Sequence, residues 1–68
     1  MADRLGNRLN QLRSERGLTQ AALAEAVGVS RKTINTVENG VFTPSALLAL
    51  KIARALERSV EDVFFLEP

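Results

Sequence analysis

Two helix starts stand close together in this chain, at Thr19 and Ser30, with Gly28 between them. Thr and Ser each offer a hydroxyl that can accept a bond from an otherwise unpaired backbone N–H in the first turn of a helix. Gly28 follows the run Gln20–Val27, at the place where a left-handed residue commonly ends a helix. Only Val29 then separates it from the next cap. The segment Thr19–Gly40 therefore reads as two short helices joined by a tight turn of roughly 3–4 residues.

The second of these helices divides its duties by face. At helical periodicity, Ile34 and Val37 fall on one side, while Lys32, Asn35, Thr36 and Asn39 share an opposite arc of about 100°. Arg31 flanks that arc at the helix start. A merely solvated face is the bland reading, but Asn and Thr are indifferent helix formers beside Glu, Lys or Ala. A face kept wet for its own sake would use the better formers. Asn, Arg and Lys can instead address base edges, and a Thr methyl can pack on a thymine, so the pattern fits a helix laid in a DNA major groove.

The remaining segments build a base for that face. Asp3 is positioned to cap a first helix running to about Arg16, with Leu5, Leu9 and Leu12 on its buried side. Gly6 inside it costs about 1 kcal/mol relative to Ala, and Gly17 ends it. Leu23, Ala24 and Val27 form the inner face of the second helix, where the small Ala24 suits a close crossing with the third. Thr43-Pro44 reads as cap and first residue of a fourth helix. Leu47, Leu48, Leu50, Ile52, Ala53 and Leu56 make that helix apolar round most of its circumference, so a central place is expected. Lys51, Arg54 and Arg58 form a solvated strip on it. Ser59 with Asp62 opens a short fifth helix around Val60–Phe64. The expected fold is all-α, a compact five-helix domain over residues 1–68, with its helix-turn-helix core at 19–40. Its 68 residues, 46% hydrophobic and 25% charged, are globular in composition. They are also few enough for stability to be marginal alone.

Val63, Phe64, Phe65 and Leu66 end the chain in a run that is costly to leave wet. One terminal segment has difficulty burying all four against its own domain. Residues 59–68 are therefore expected to form a homodimer seam through these side chains, with a short strand at Phe65–Glu67 pairing across a two-fold axis. Dimerisation would also add stability by mass action.

Several classes are excluded. With no cysteine and no histidine, the chain has no disulfide framework and little zinc chemistry. It carries no Gly-rich phosphate loop and no carboxylate pair suited to acid–base work, so neither an enzyme nor a cofactor is expected. No metal site or small-molecule ligand is evident. No apolar run approaches eighteen residues and no signal-peptide pattern follows Met1, so a cytoplasmic protein without membrane contact is the expectation. The formal net charge is only +1, but it is unevenly spread. Residues 1–54 carry eight Lys or Arg against four Asp or Glu, while residues 55–68 carry one Arg against four acids. A basic body and an acidic tail fit one face turned to phosphate and one turned away.

These residues resemble the lambda-repressor-like (Cro/C1-type) helix-turn-helix regulators along nearly the whole chain. The likeness is carried by Leu9, Leu12, Arg13 and Gly17, then Thr19-Gln20 with Leu23-Ala24, then Val29-Ser30-Arg31 with Ile34. It continues through Glu38-Asn39-Gly40, Pro44, Ile52-Ala53 and Leu56, and is greatest to short stand-alone members such as the cytolysin-repressor-like regulators. The resemblance implies sequence-specific binding of double-stranded DNA, with repression of a pseudo-palindromic operator by a homodimer. It places Arg31, Lys32, Asn35 and Thr36 at bases. Gln20, Ser30, Thr33 and Asn39 fall at or beside the phosphates, Gln20 also bracing the third helix, and Arg13 and Glu38 form a structural ion pair between the first and third helices. One departure is the loop Val41-Phe42-Thr43 with Ser45, which has no basic residue where some relatives reach into the minor groove. An antitoxin-like interaction module that also binds DNA is the alternative.

Overall fold

The strongest local signals are the capped starts, and the computed structural model, which describes residues 3–68, has them. Its elements run β1 (Arg4–Asn7), α1 (Leu9–Glu15), α2 (Gln20–Val27), α3 (Arg31–Glu38), α4 (Ala46–Ala55), α5 (Val60–Val63) and β2 (Phe64–Glu67). Thr19 Oγ1 accepts from the Ala22 N–H at 3.0 Å, and Ser30 Oγ accepts from the Thr33 N–H at 3.1 Å. Gly28 turns through φ 76°, a conformation that an L side chain would strain, and the chain reaches the Ser30 cap within two residues. Ser59 caps α5 by accepting from the Asp62 N–H at 3.2 Å.

The five helices enclose one core. Leu9 and Leu12 of α1, Leu23, Ala24 and Val27 of α2, Ile34 and Val37 of α3, and Leu48, Ile52 and Ala53 of α4 meet in it, with Leu56, Val63 and Phe64. Leu9, Leu23, Ile34, Ile52 and Leu56 are completely shielded, each contributing about 1.5–3 kcal/mol of transfer free energy. Ala24 is likewise buried, and α2 packs directly on α3 and α4.

The N-terminal expectation is corrected. A helix does not run from Asp3; Arg4–Asn7 is a strand, antiparallel to β2 in the register Arg4↔Glu67, Leu5↔Leu66, Gly6↔Phe65 and Asn7↔Phe64. Gly6 explains why. A Cβ at that position would collide with the Phe65 ring and lie 2.8 Å from the Glu67 side chain, so glycine is what lets the Phe65 ring lie over β1. Asn7 takes the capping role given to Asp3: its Oδ1 accepts from the Leu9 N–H at 3.0 Å, and its Nδ2 donates to the Val37 carbonyl at 3.1 Å. The Arg8 guanidinium then lies 4.4 Å from the centre of the Phe65 ring and donates to the Asp62 carbonyl at 3.3 Å, fastening the two chain ends.

Two further expectations change. Ser45, not Thr43, caps α4, accepting from the Leu48 N–H at 3.1 Å, while Pro44 is buried ahead of the helix. The helix thus begins two residues later than the Thr43-Pro44 pair indicated, at the next residue whose hydroxyl can cap it. Nor is α4 enclosed all round: Leu47 and Leu50 are 64% and 58% exposed. At its exit Glu57 adopts φ 56°, the only non-glycine residue with positive φ among those described.

The C-terminal run is shared between core and surface. Val63 and Phe64 are buried in their own subunit, so their expected place in a dimer seam is corrected. Phe65 is half-buried beneath Arg8, and Leu66 is 72% exposed. The strand expected at Phe65–Glu67 exists, beginning one residue earlier, but it pairs with β1 of the same chain and not across a two-fold axis. No described helix is long and apolar enough to cross a membrane.

Candidate nucleic-acid interface

The open face of α3 is defined by what the other face does. Ile34 and Val37 are buried, which turns Arg31, Lys32, Asn35 and Asn39 outward; all four are exposed, and Thr33 and Thr36 are half-buried at the margin. Among the described residues neither Arg31 nor Lys32 enters an ion pair, whereas Arg4, Arg13, Arg16 and Arg58 all do. The helix has one acidic residue, Glu38, and it points inward with only 4% of its side chain accessible. The exposed strip is therefore cationic and amide-rich without a neutralising carboxylate of its own.

Glu38 ties three helices at one point. Its carboxylate accepts from Arg13 Nε at 2.7 Å, Gln20 Nε2 at 3.1 Å and Asn10 Nδ2 at 3.2 Å. Arg13 also donates from Nη1 to the Leu18 carbonyl at 2.7 Å, so the guanidinium pins the α1–α2 connection as well. Burial pushes the Glu38 carboxyl up, but the hydrogen bonds from Arg13, Gln20 and Asn10, with the Arg13 charge, outweigh it and hold the group below its ordinary value. The sequence pointed to Arg13 and Glu38; it did not point to Asn10, which lies one turn before Arg13 on the same face of α1.

From this anchor an amide chain runs out to the exposed face. Gln20 Oε1 accepts from Asn35 Nδ2 at a long 3.5 Å, and Asn35 Oδ1 accepts from Asn39 Nδ2 at 3.2 Å. Each amide keeps a second N–H or lone pair for an outside partner. Gln20, half-buried at the start of α2, is thus braced between Glu38 and the open strip. Ser30 and Thr33 are joined through their hydroxyls at 3.0 Å, and Thr36 Oγ1 donates to the Thr33 carbonyl at 2.9 Å. All eight residues expected at bases or phosphates hence lie on one contiguous surface of α2 and α3.

Sequence reasoning missed four apolar side chains that the structure leaves accessible. Val41 and Phe42, 79% and 48% exposed, follow α3; Leu47 and Leu50 stand on the outer side of α4. The second pair was detectable, because Leu47 and Leu50 fall off the helical stripe that Leu48, Ile52 and Leu56 define.

Comparison with known proteins matches this geometry. The Helix-turn-helix family model aligns with residues 9–63. The chain is 48% identical over 61 residues to the uncharacterised HTH-type transcriptional regulator YgzD of Bacillus subtilis, covering 90% of this chain and 92% of that one. Among solved structures it is similar to the restriction-modification controller protein C.AhdI of Aeromonas hydrophila, at 36% identity and a TM-score of 0.77 over 81% of this chain and 83% of that one. It is similar also to the P22 c2 repressor in complex with a synthetic operator, at 31% identity and a TM-score of 0.76 over 79% of this chain and 82% of that one.

Proposed function

The chain belongs to the helix-turn-helix family of lambda-repressor-like, DNA-binding transcriptional regulators, which are not enzymes, and from that premise we propose that it is a repressor that reads a pseudo-palindromic operator as a homodimer. The observation that carries the reading is the α3 strip, with two cations free of ion pairs beside two exposed amides, on a helix anchored from behind by Glu38. Arg31, Lys32, Asn35 and Thr36 test bases in the major groove. Gln20, Ser30, Thr33 and Asn39 bond phosphates and set the register, which fixes orientation without reading sequence. With the Thr36 hydroxyl engaged on the helix, its methyl is the group offered to a base.

A second copy presents its own α3 one helical turn along the duplex, about 34 Å away. Of the terminal side chains assigned to the seam, Leu66 and the half-buried Phe65 remain accessible, and Leu47 and Leu50 of α4 add apolar surface. Occupying a promoter in this way excludes polymerase.

The test is selection of duplexes from random DNA, followed by binding of Lys32→Ala and Asn35→Ala. A palindromic product is expected, and each variant should lose about 1–3 kcal/mol of discrimination at its base while retaining its helical circular dichroism. Parent-like affinity in both variants would show that α3 does not read the groove. A monomer at all concentrations that bind DNA would remove the dimer.

A further inference from the structure

We propose that a groove between the C-terminal end of α2 and the outer side of α4 is a docking site for an acidic, amphipathic helix of a partner protein. The inference goes beyond the DNA reading and uses no residue of the α3 strip. The groove has a volume of about 660 Å³, and Leu18, Ala26, Val27 and Ala55 form its apolar floor. It exists because α2 packs directly on α4 while Ala26 and Ala55, on the outer side of the seam, end at Cβ and leave it open.

Charge decides what suits it. Lys51 and Arg54 stand exposed on the α4 wall, and among the described residues neither enters an ion pair. The other cations outside α3 are all engaged: Arg4, Arg13, Arg16 and Arg58 with carboxylates, and Arg8 on the Phe65 ring. Arg58 leaves the strip expected along α4 to meet Glu15 at 3.4 Å, so that strip is not uniformly solvated. Lys51 and Arg54, three residues apart, share one face of α4, where like charges repel slightly. Carboxylates brought by a partner would relieve that repulsion, and an apolar side chain between them would reach the floor.

A phosphate backbone is the poorer occupant. The apolar floor offers nothing to phosphate oxygens, and Glu25 on the α2 rim would repel an unbroken row of them. Gln20, held by Glu38 and Asn35 beside the α3 strip, opens α2, whereas the groove lies at the other end of that eight-residue helix, about 10 Å further along. An amphipathic helix meets all of these features. Its apolar residues fill the floor, its acids pair with Lys51 and Arg54, and an uncharged edge passes Glu25. The groove and the α3 strip can then be occupied together, which makes the domain an adaptor between DNA and a second protein.

The probe is a fluorescent amphipathic peptide of about four helical turns, with leucines along one face and glutamates beside them. A twin carries lysine in place of every glutamate. Titrated into the isotope-labelled full chain, the acidic peptide should shift the amide resonances of Leu18, Ala26, Val27 and Ala55 and leave those of Lys32 and Asn35 in place. In fluorescence anisotropy the lysine twin should bind about ten-fold more weakly or less, and Lys51→Glu and Arg54→Glu should each weaken the acidic peptide about three- to ten-fold. With both reversals together the preference should swap to the lysine twin, an outcome that loss of folding cannot imitate. Adding the operator duplex selected by the chain should leave the affinity for the acidic peptide unchanged. Equal affinity for both peptides, shifts centred on the α3 strip, or no binding up to about 1 mM overturns the proposal. So does displacement of the acidic peptide by the duplex, which would assign the groove to the phosphate backbone.

Discussion

Removal of the Glu38 carboxylate should be the most damaging conservative change in the domain. Three side chains from two other helices converge on it, and its side chain is 4% exposed against 13% for Arg13. Breaking such a pair strands the surviving charge, a loss of about 3–5 kcal/mol when burial is complete. Arg13 keeps its bond to the Leu18 carbonyl and some contact with water, so about 2–4 kcal/mol is expected for Glu38→Ala. A chain of this size holds only about 3–10 kcal/mol in total. At about 4–8 °C per kcal/mol, the midpoint of thermal unfolding should fall by about 8–32 °C. Glu38→Gln keeps an acceptor and the side-chain shape, so it should lose about half as much and supply a folded protein for binding work. The acid dependence has a definite sign. The folded carboxyl titrates below its ordinary 4.5, so its contribution is complete above that value and fades as pH falls through the lower folded value. The gap between parent and Glu38→Gln should therefore be widest near neutrality and narrow toward pH 3. Base preference of Glu38→Gln, measured on the selected operator at low temperature, should match the parent. A midpoint unchanged within 2 °C in Glu38→Ala, or a gap that widens in acid, would refute the account of this cluster.

Other outcomes follow from single residues. Gly6→Ala should cost about 1–3 kcal/mol in thermal or urea unfolding, since its Cβ meets the Phe65 ring; a neutral effect would deny the packing of that ring over Gly6. Glu57→Gly should raise stability by up to about 1 kcal/mol by relieving the left-handed conformation, because the exposed Arg16–Glu57 pair it removes is worth little. Operator affinity should fall steeply between 50 and 200 mM salt, with a log–log slope that flattens in Lys32→Ala if that ammonium displaces a counterion.

What could be read from residues alone was whatever a few neighbours decide. Thr19, Ser30 and Ser59 bond N–H groups three residues on, and Gly28 acts on its own backbone, so those boundaries needed no tertiary knowledge. The Arg13–Glu38 pair and the bracing role of Gln20 came through family likeness, and the Asn10 partner came only from the packing. The first strand was illegible for the opposite reason. Leu5 and Leu9 are spaced as on a helix, and nothing near Arg4–Asn7 announces a partner some sixty residues away. Only the fit of Gly6 under Phe65 makes a strand of it. Similarly, Val63 and Phe64 looked like seam residues because a consecutive apolar run does not say how many members its own core can hold. The eight residues assigned to DNA do share a surface, because the spacing of Ile34 and Val37 alone decides which side of α3 is left outside.

The pairing of β1 with β2 also has a mechanical side. Arg4 lies opposite Glu67, so the polypeptide enters and leaves the domain through neighbouring points. A force applied to both ends would load the ladder one rung at a time, peeling it open from that edge, whereas strands pulled lengthwise would resist with all rungs together. Asn7, on the innermost rung, is bonded to the Val37 carbonyl of α3, so that helix would feel tension only after the outer rungs had opened. Tethered by its two ends, the domain should yield at low force in two steps, with the sheet opening before the helices.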